Sequence, residues 1–343
     1  MTGYFVRRLL LIVPTFVGIT LAVFLVMHFV PGGPIERQIM AFRMAATTEG
    51  GAGGGQMTFG TEIPPEALAE LQRFYGFDKP VHIRYLNWLW NVVHLDLGTS
   101  YVYQDPVWDV IRTRFPVSIF LGLTGFLLSY LVCVPLGVLK ALRHHSRFDF
   151  ISSFVVFLGY SIPGWALGTA LLVLFGGGSF WSVFPLGGFR PNNWEYLSFS
   201  QKVVGQLYHM FLPVLCYMVG SFATLTILTK NSLLENLGQD YVRTAFSKGL
   251  SERRVIFVHA LRNSLIPLAT GLGHVFSLVL AGSFLIERVF NIDGMGYLGY
   301  TSILQRDYPV ALGILVIGSL LMLIGNILSD MIYATIDPRI RFR

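Results

Sequence analysis

Six long apolar runs, none holding an Asp, Glu, Lys or Arg, constrain this chain more than anything else in it: 9–30, 116–139, 150–175, 211–229, 264–286 and 310–329. A helix needs about 20 apolar residues to cross a hydrocarbon core of about 30 Å, so each run reads as a membrane span. The first holds 15 Leu, Ile, Val and Phe residues. At about −0.3 to −0.6 kcal/mol each they favour insertion by roughly 4.5 to 9 kcal/mol, which Thr15, Gly18, Thr20 and His28 reduce without reversing. It is longer than a signal-peptide core, and Pro31-Gly-Gly-Pro34 stands where a small-residue cleavage site would be, so it reads as an uncleaved first span. The expectation is an all-α membrane protein with six transmembrane helices.

Charge sets the orientation. Of 25 Lys and Arg residues, 14 fall in four places: Arg7 and Arg8, the loop after span two (Lys140, Arg143, Arg147), the loop after span four (Lys230, Arg243, Lys248, Arg253, Arg254, Arg262) and the C-terminus (Arg339, Arg341, Arg343). The opposite short loops hold only Arg190 and Lys202, then Arg288 and Arg306. The positive-inside rule places both termini in the cytoplasm, as an even number of spans requires. The net charge of +6 is accounted for by this asymmetry and points to membrane lipids, not nucleic acid.

Three regions follow: the N-terminal segment and first span (1–30), a large periplasmic loop or helical subdomain (31–115), and a five-helix core (116–343). The second contains a flexible Gly50-Gly-Ala-Gly-Gly-Gly55 stretch and a helical pattern at 64–74. Tyr85, Trp88 and Trp90 on 81–97 suit an interfacial helix or a small packed subdomain. Asp105-Pro106 offers a capping acid before proline at the first helical position.

Several chemistries are disfavoured. Uncharged spans argue against a proton-coupled carrier or voltage sensor. His28 and His274 read as helix-packing residues. The sequence has no G-x-x-x-x-G-K-[ST] phosphate loop, no G-x-S-x-G elbow and no metal-ligand spacing. Cys133 and Cys216, both inside apolar runs, read as small buried hydrophobes.

The most informative loop is 230–263. Leu233, Leu234, Leu237, Tyr241 and Ala245 recur at helical spacing, Gly249 offers a stop, and Ser251 can cap a second helix whose apolar face holds Val255, Phe257, Val258 and Leu261. Two short helices broken at a glycine make an elbow that another protein can grip; the alternative is an amphipathic hairpin on the lipid surface.

Asp240-Tyr-Val-Arg-Thr-Ala-Phe-Ser-Lys-Gly249 followed by His259-Ala-Leu-Arg-Asn263 resembles the EAA loop of ABC-importer permeases of the oligopeptide/dipeptide (Opp/Dpp) family. The resemblance runs through Arg7-Arg-Leu-Leu-Leu11, Pro31-Gly-Gly-Pro34, Tyr75-Gly-Phe-Asp-Lys-Pro80, Asp96-Leu-Gly98, Arg306-Asp-Tyr-Pro309 and Asp337-Pro338. Ser146-Arg-Phe-Asp149, Gly159-Tyr-Ser-Ile-Pro163, Phe184-Pro-Leu186, Leu228-Thr-Lys-Asn-Ser232 and Ile327-Leu-Ser-Asp330 look closest to its YejB-type microcin C and peptide branch. Where the general pattern has Glu-Ala-Ala…Gly, this chain has Arg243, Thr244, Ala245 and Gly249, and Leu261-Arg262 replaces the later Leu-Pro. A contact relying on the usual Glu does not transfer.

The resemblance implies a type I ABC importer permease fold in a non-catalytic subunit that takes peptides, including peptide antibiotics such as microcin C, from periplasm to cytoplasm. It implies a second homologous permease as heterodimer partner, a cytoplasmic ATPase that uses the ATP and Mg, and a periplasmic binding protein; this chain would bind no cofactor or metal. Tyr241, Arg243, Thr244, Ala245, Lys248, Gly249 and Leu250 would form the ATPase coupling loop. Asn291, Asp293, Gly294 and Gly296 would face the binding protein. Tyr160, Ser161, Asn231, Thr270 and Ser283, chosen as polar residues in or at the ends of spans, are path candidates; such residues also serve as hydrogen bonds between helices. Competing expectations are the same architecture for nickel, glutathione or an opine, and a membrane scaffold or receptor that needs no ATPase.

Overall fold

The computed structural model describes residues 2–29, 39, 65–74, 78–177, 180–273 and 283–336. Helix α1 (Thr2–Phe29) is followed by α2 (Pro65–Phe74), α3 (Val81–Val93), α4 (Val107–Arg112), α5 (Phe115–Leu142), α6 (Arg147–Ser161), α7 (Gly164–Phe175) and α8 (Phe199–Leu237). Then come α9 (Asp240–Ser247), α10 (Glu252–Arg254), a π-helical turn (Val255–Ala260), α11 (Leu261–Ser264), α12 (Ile266–Gly273), α13 (Phe284–Val289), α14 (Met295–Leu304) and α15 (Tyr308–Ile336). Pro31–Pro34, the glycine stretch at 50–55, His274, much of span five and the terminal arginines lie outside the described residues.

Among the described residues, four stretches are long and apolar enough to cross a membrane: Val6–Phe29, Val107–Leu142, Phe199–Leu237 and Tyr308–Met331. Run 150–175, read as one span, is two helices, α6 and α7, bent by 95°. The cause is local. Pro163 disfavours helical backbone in the residue before it, and Ile162 is extended, with φ −96° and ψ 119°. Counted as one crossing, the bent pair makes a fifth. Run 264–286 is represented by α12 and α13 on either side of 274–282.

Helix α8 exceeds expectation. It has 39 residues where the apolar run has 19, so at 1.5 Å per residue it extends about 58 Å, well beyond a bilayer core. Lys230, expected to open a loop, lies within it. Its partner is α5, and small residues set how closely they pack. A Cβ on Gly137 would sit 2.5 Å from the Thr229 Cβ and 2.7 Å from the Thr226 carbonyl; one on Gly125 would sit 3.0 Å from the Tyr217 Cβ. Without a hydrophobic drive between helices in lipid, such contact is what holds spans together.

The chain divides into two compact units: Met1–Ile12, Arg114–Leu298 and Gly318–Arg343 form one, Val13–Thr113 and Gly299–Ile317 the other. In the first, Leu121, Met210, Val214, Cys216, Ile286 and Phe290 form one apolar core and Val138, Leu233, Val242, Val255 and Ala260 another. There Asp330 joins the ends of the chain, pairing with Arg8 and accepting from the Tyr4 hydroxyl at 2.9 Å. In the second, Tyr85 is buried and its hydroxyl lies 3.0 Å from Thr20 Oγ1, while Phe24 and Trp88 pack around it. Helix α3 thus packs through Tyr85 and Trp88 and leaves Trp90 exposed, an arrangement that both readings of 81–97 allow, since they are compatible. Asp105 does not cap α4: Pro106 is the capping residue, without a side-chain bond. Buried Asp307 orders the preceding turn instead, accepting from Ser100 Oγ at 2.5 Å and Tyr101 N at 3.1 Å.

Candidate functional site

The 230–263 segment forms an elbow in the first unit. The apolar spacing through Ala245 suggested one helix; Gly238 ends α8 instead, and α9 starts afresh at Asp240. Helix α9 is strongly two-faced. Val242 and Ala245 are buried against Val138, Ala141, Leu233, Val255 and Ala260. Tyr241, Arg243, Thr244, Phe246 and Lys248 are exposed. The Tyr241 hydroxyl donates to Asn236 Oδ1 at 2.7 Å, fastening α9 to the end of α8. Thr244 donates to the Asp240 carbonyl at 2.9 Å, and the exposed Arg243–Asp240 pair at 3.7 Å adds little.

Gly249 turns the chain with φ +77°, a conformation that costs a Cβ-bearing residue and not glycine. Nothing lies within 4 Å of where its Cβ would be, so the demand is conformational and not steric. Its N–H donates to the Phe246 carbonyl at 2.9 Å and that of Leu250 to Ala245 at 3.4 Å, which closes the helix end. Leu250 folds back onto the same core. Ser251 precedes the next helix as expected but makes no side-chain cap bond.

Behind the elbow lies a buried ion cluster that reading the runs alone does not find. Lys140 is on the last turn of α5, Asp149 on the first turn of α6 and Lys230 on α8, and the two lysines place Nζ 3.1 Å and 2.7 Å from Asp149 oxygens. Lys140 is only 1% exposed and also donates to the Asp149 carbonyl at 2.9 Å, Ser152 Oγ at 2.8 Å and Ser153 Oγ at 2.7 Å. His144 Nδ1 lies 3.3 Å from Asp149, and the Ser146 hydroxyl caps α6 by accepting from Asp149 N at 3.2 Å. One carboxylate thus ties three helices together. Val138 and Ala141, which flank Lys140 on α5, pack on the inner face of α9, so cluster and elbow share the same helical turn. Each charge falls one residue outside its apolar run: Lys140 after 139, Asp149 before 150, Lys230 after 229. Opposite charges at adjacent span ends were the available signal.

Segment 288–309, expected as a short outer loop, contains helix α14 (Met295–Leu304), and the residues leading into that helix are tightly held. Asp293 accepts from Arg114 Nε at 3.1 Å. Glu287, one residue past run 264–286, is fully buried and accepts from the Tyr297 N–H at 2.7 Å, the Tyr217 hydroxyl at 3.3 Å and the Ser118 hydroxyl at 3.4 Å. A Cβ on Gly294 would come within 2.6 Å of that carboxylate, and one on Gly296 within 2.7 Å of Phe284 N. Asn291 adopts φ +49° and is exposed.

The path candidates occupy several places. Tyr160 is exposed beside the α6–α7 bend, and Ser161 there donates to the Phe157 carbonyl at 2.9 Å. Asn231 lies exposed on α8 beside Lys230. Ser283 N donates to the Tyr217 hydroxyl at 2.7 Å and so belongs to the Glu287 network. Thr270 is on α12, its side chain outside what is described.

The family model "Binding-protein-dependent transport system inner membrane component" matches residues 133–342, which span the bent pair, both halves of the ion cluster and the elbow. The chain is 39% identical to the peptidoglycan transport system permease protein YejB of Agrobacterium fabrum, covering 100% of this chain and 99% of that one. It is 40% identical to the inner membrane ABC transporter permease protein YejB of Escherichia coli O157:H7, again over 100% and 99%. It is 34% identical to the oligopeptide transport system permease protein AppB of Bacillus subtilis over the full length of both. A chain of long apolar helices, matched end to end by such relatives, belongs to the family of binding-protein-dependent transport system inner membrane components and has its type I ABC permease fold.

Proposed function

We propose that this chain is one of two permease subunits of an ATP-driven importer that moves peptides from periplasm to cytoplasm. The reading is carried by α9, a short helix with one face locked into the core and the other presenting Tyr241, Arg243, Thr244, Phe246 and Lys248. The exposed face is the surface on which a cytoplasmic ATPase docks. Closure of the ATPase on ATP pushes α9, and the shared packing with α5 carries the movement into the spans. ATP and Mg belong to the ATPase. A second, different permease completes the pore, and the 288–309 loop, around Asn291, Asp293, Gly294 and Gly296, faces a periplasmic binding protein. Both termini lie in the cytoplasm.

Peptide cargo is supported by the names of relatives, which include oligopeptide and dipeptide permeases. A relative named for peptidoglycan transport favours a second cargo, peptidoglycan-derived peptides, and the YejB resemblance adds microcin C. The test is uptake by a strain lacking this chain, with and without its return. Loss of oligopeptide or muropeptide uptake, or resistance to microcin C, reversed on return of the chain, supports the reading. Unchanged peptide uptake with loss of nickel, glutathione or opine uptake would replace the cargo while leaving the permease assignment intact.

A further inference from the structure

At the end of α8 remote from the elbow lies a cleft of about 290 Å³ lined by Phe120, Trp194, Phe199, Lys202, Val203, Gln206 and Leu207. Positive charge gathers at Trp194, one of its lining residues. The Arg190 guanidinium carbon lies 4.9 Å from the centre of the Trp194 ring and Lys202 Nζ lies 5.8 Å from it. Among the described residues, neither cation has a carboxylate within 4 Å. These are the only two Lys or Arg residues between 176 and 210, on the side where the positive-inside rule makes them rare. Both converge on one tryptophan, held by a single turn at Trp194–Tyr196.

The cleft also opens onto an apolar stripe. Phe199, Val203 and Leu207 follow each other at i, i+4 spacing and are 84%, 43% and 61% exposed. This stripe lies on the helical turns that lead into apolar run 211–229, at the level where acyl chains meet headgroups and tryptophan settles. Two cations with no carboxylate partner among the described residues, beside an apolar groove, are complementary to an anion with a hydrocarbon tail.

We propose that Arg190, Lys202 and Trp194 form a headgroup site for an anionic phospholipid, with an acyl chain in the cleft along Phe199, Val203 and Leu207. Gln206, whose Nε2 donates to the Phe189 carbonyl at 2.6 Å, braces the loop that carries Arg190. The site is distinct from the elbow and the ion cluster. It would fix the entry of α8 into the membrane and make the protein sensitive to lipid composition.

The full-length chain, purified from membranes with the subunits that stay bound, is placed in phosphatidylcholine nanodiscs containing graded amounts of brominated phosphatidylglycerol or brominated phosphatidylcholine. The Trp194 signal is the difference between wild type and Trp194→Phe. The expected result is half-quenching at a severalfold lower fraction of phosphatidylglycerol than of phosphatidylcholine. Arg190→Gln and Lys202→Gln should each weaken that preference by roughly fivefold, while Arg190→Lys keeps it. Native mass spectrometry of the same samples should show phosphatidylglycerol retained by wild type and lost from the double glutamine variant. Equal quenching by both lipids, Trp194 shielded from both, displacement by a peptide carboxylate, or glutamine variants that behave as wild type would each overturn the proposal.

Discussion

Replacing Asp149 with alanine removes the one carboxylate that, among the described residues, pairs with Lys140 and Lys230, and the asymmetry gives the experiment its force. Lys140 is 1% exposed and Lys230 14% exposed, with Nζ atoms 3.1 Å and 2.7 Å from the carboxylate. Removing one partner of a buried ion pair costs about 3–5 kcal/mol, because the remaining charge loses its compensation. Lys140 would keep three neutral oxygen partners, from Asp149 O, Ser152 and Ser153, but no counter-charge. Lys140→Met is milder, since Asp149 keeps Lys230; Lys230→Gln is milder still, because that lysine is the more exposed. The predicted order of damage is Asp149→Ala, then Lys140→Met, then Lys230→Gln. The double variant Asp149→Asn/Lys230→Gln should recover part of the loss, by the non-additivity of groups in contact. At about 2 °C per kcal/mol for a large domain, Asp149→Ala should lower the melting temperature of the detergent-solubilised protein by about 6–10 °C. A thiol-reactive dye that reports exposure of buried Cys133 and Cys216 would follow the transition. An Asp149→Ala protein that melts with wild type, or a Lys140→Met protein that melts lower than Asp149→Ala, would refute the reading that one carboxylate neutralises both lysines.

Three further outcomes follow from the same geometry. At Gly249, with φ +77° and open space around the absent Cβ, Asn should retain uptake, Ala should lose stability by about 1–2 kcal/mol, and Pro should abolish uptake at normal expression; a proline variant that transports normally would remove the glycine break from the mechanism. Gly137→Val should push α5 from α8, because even a Cβ meets Thr229 at 2.5 Å, costing about 1–3 kcal/mol in a melting assay, whereas Gly18→Ala, where the Cβ meets nothing within 4 Å, should be silent. Glu287→Ala should loosen the 288–309 loop by orphaning the donors from Tyr297, Tyr217 and Ser118, seen as faster proteolysis there, and Glu287→Gln should restore most of it; equal proteolysis of wild type and Glu287→Ala would count against the network.

Much of this was legible in the sequence, for a physical reason. Spans are set by length and polarity, which are local properties, so 116–139 became α5 and 310–329 became α15 nearly as expected. Gly249 was readable because glycine at a helix end has a specific conformational use. The misses have physical reasons too. Ile162-Pro163 bends run 150–175 because proline constrains its predecessor, which hydropathy averages cannot see. Gly238 ends α8 before Gln239 although the apolar spacing continues into α9, so periodicity alone joined two helices that share one core. The ion cluster escaped because the uncharged runs stop just short of Lys140, Asp149 and Lys230. Only the fold shows that those three span ends lie side by side.

The central claim is that energy enters through the exposed face of α9. Phe246 is its most direct probe, being 45% exposed on a helix whose inner face is buried. The wild-type chain should co-purify with an ATPase, and Phe246→Asp should lose that ATPase and peptide uptake while leaving expression and melting temperature unchanged. Retention of the ATPase and of uptake at wild-type levels would contradict the account.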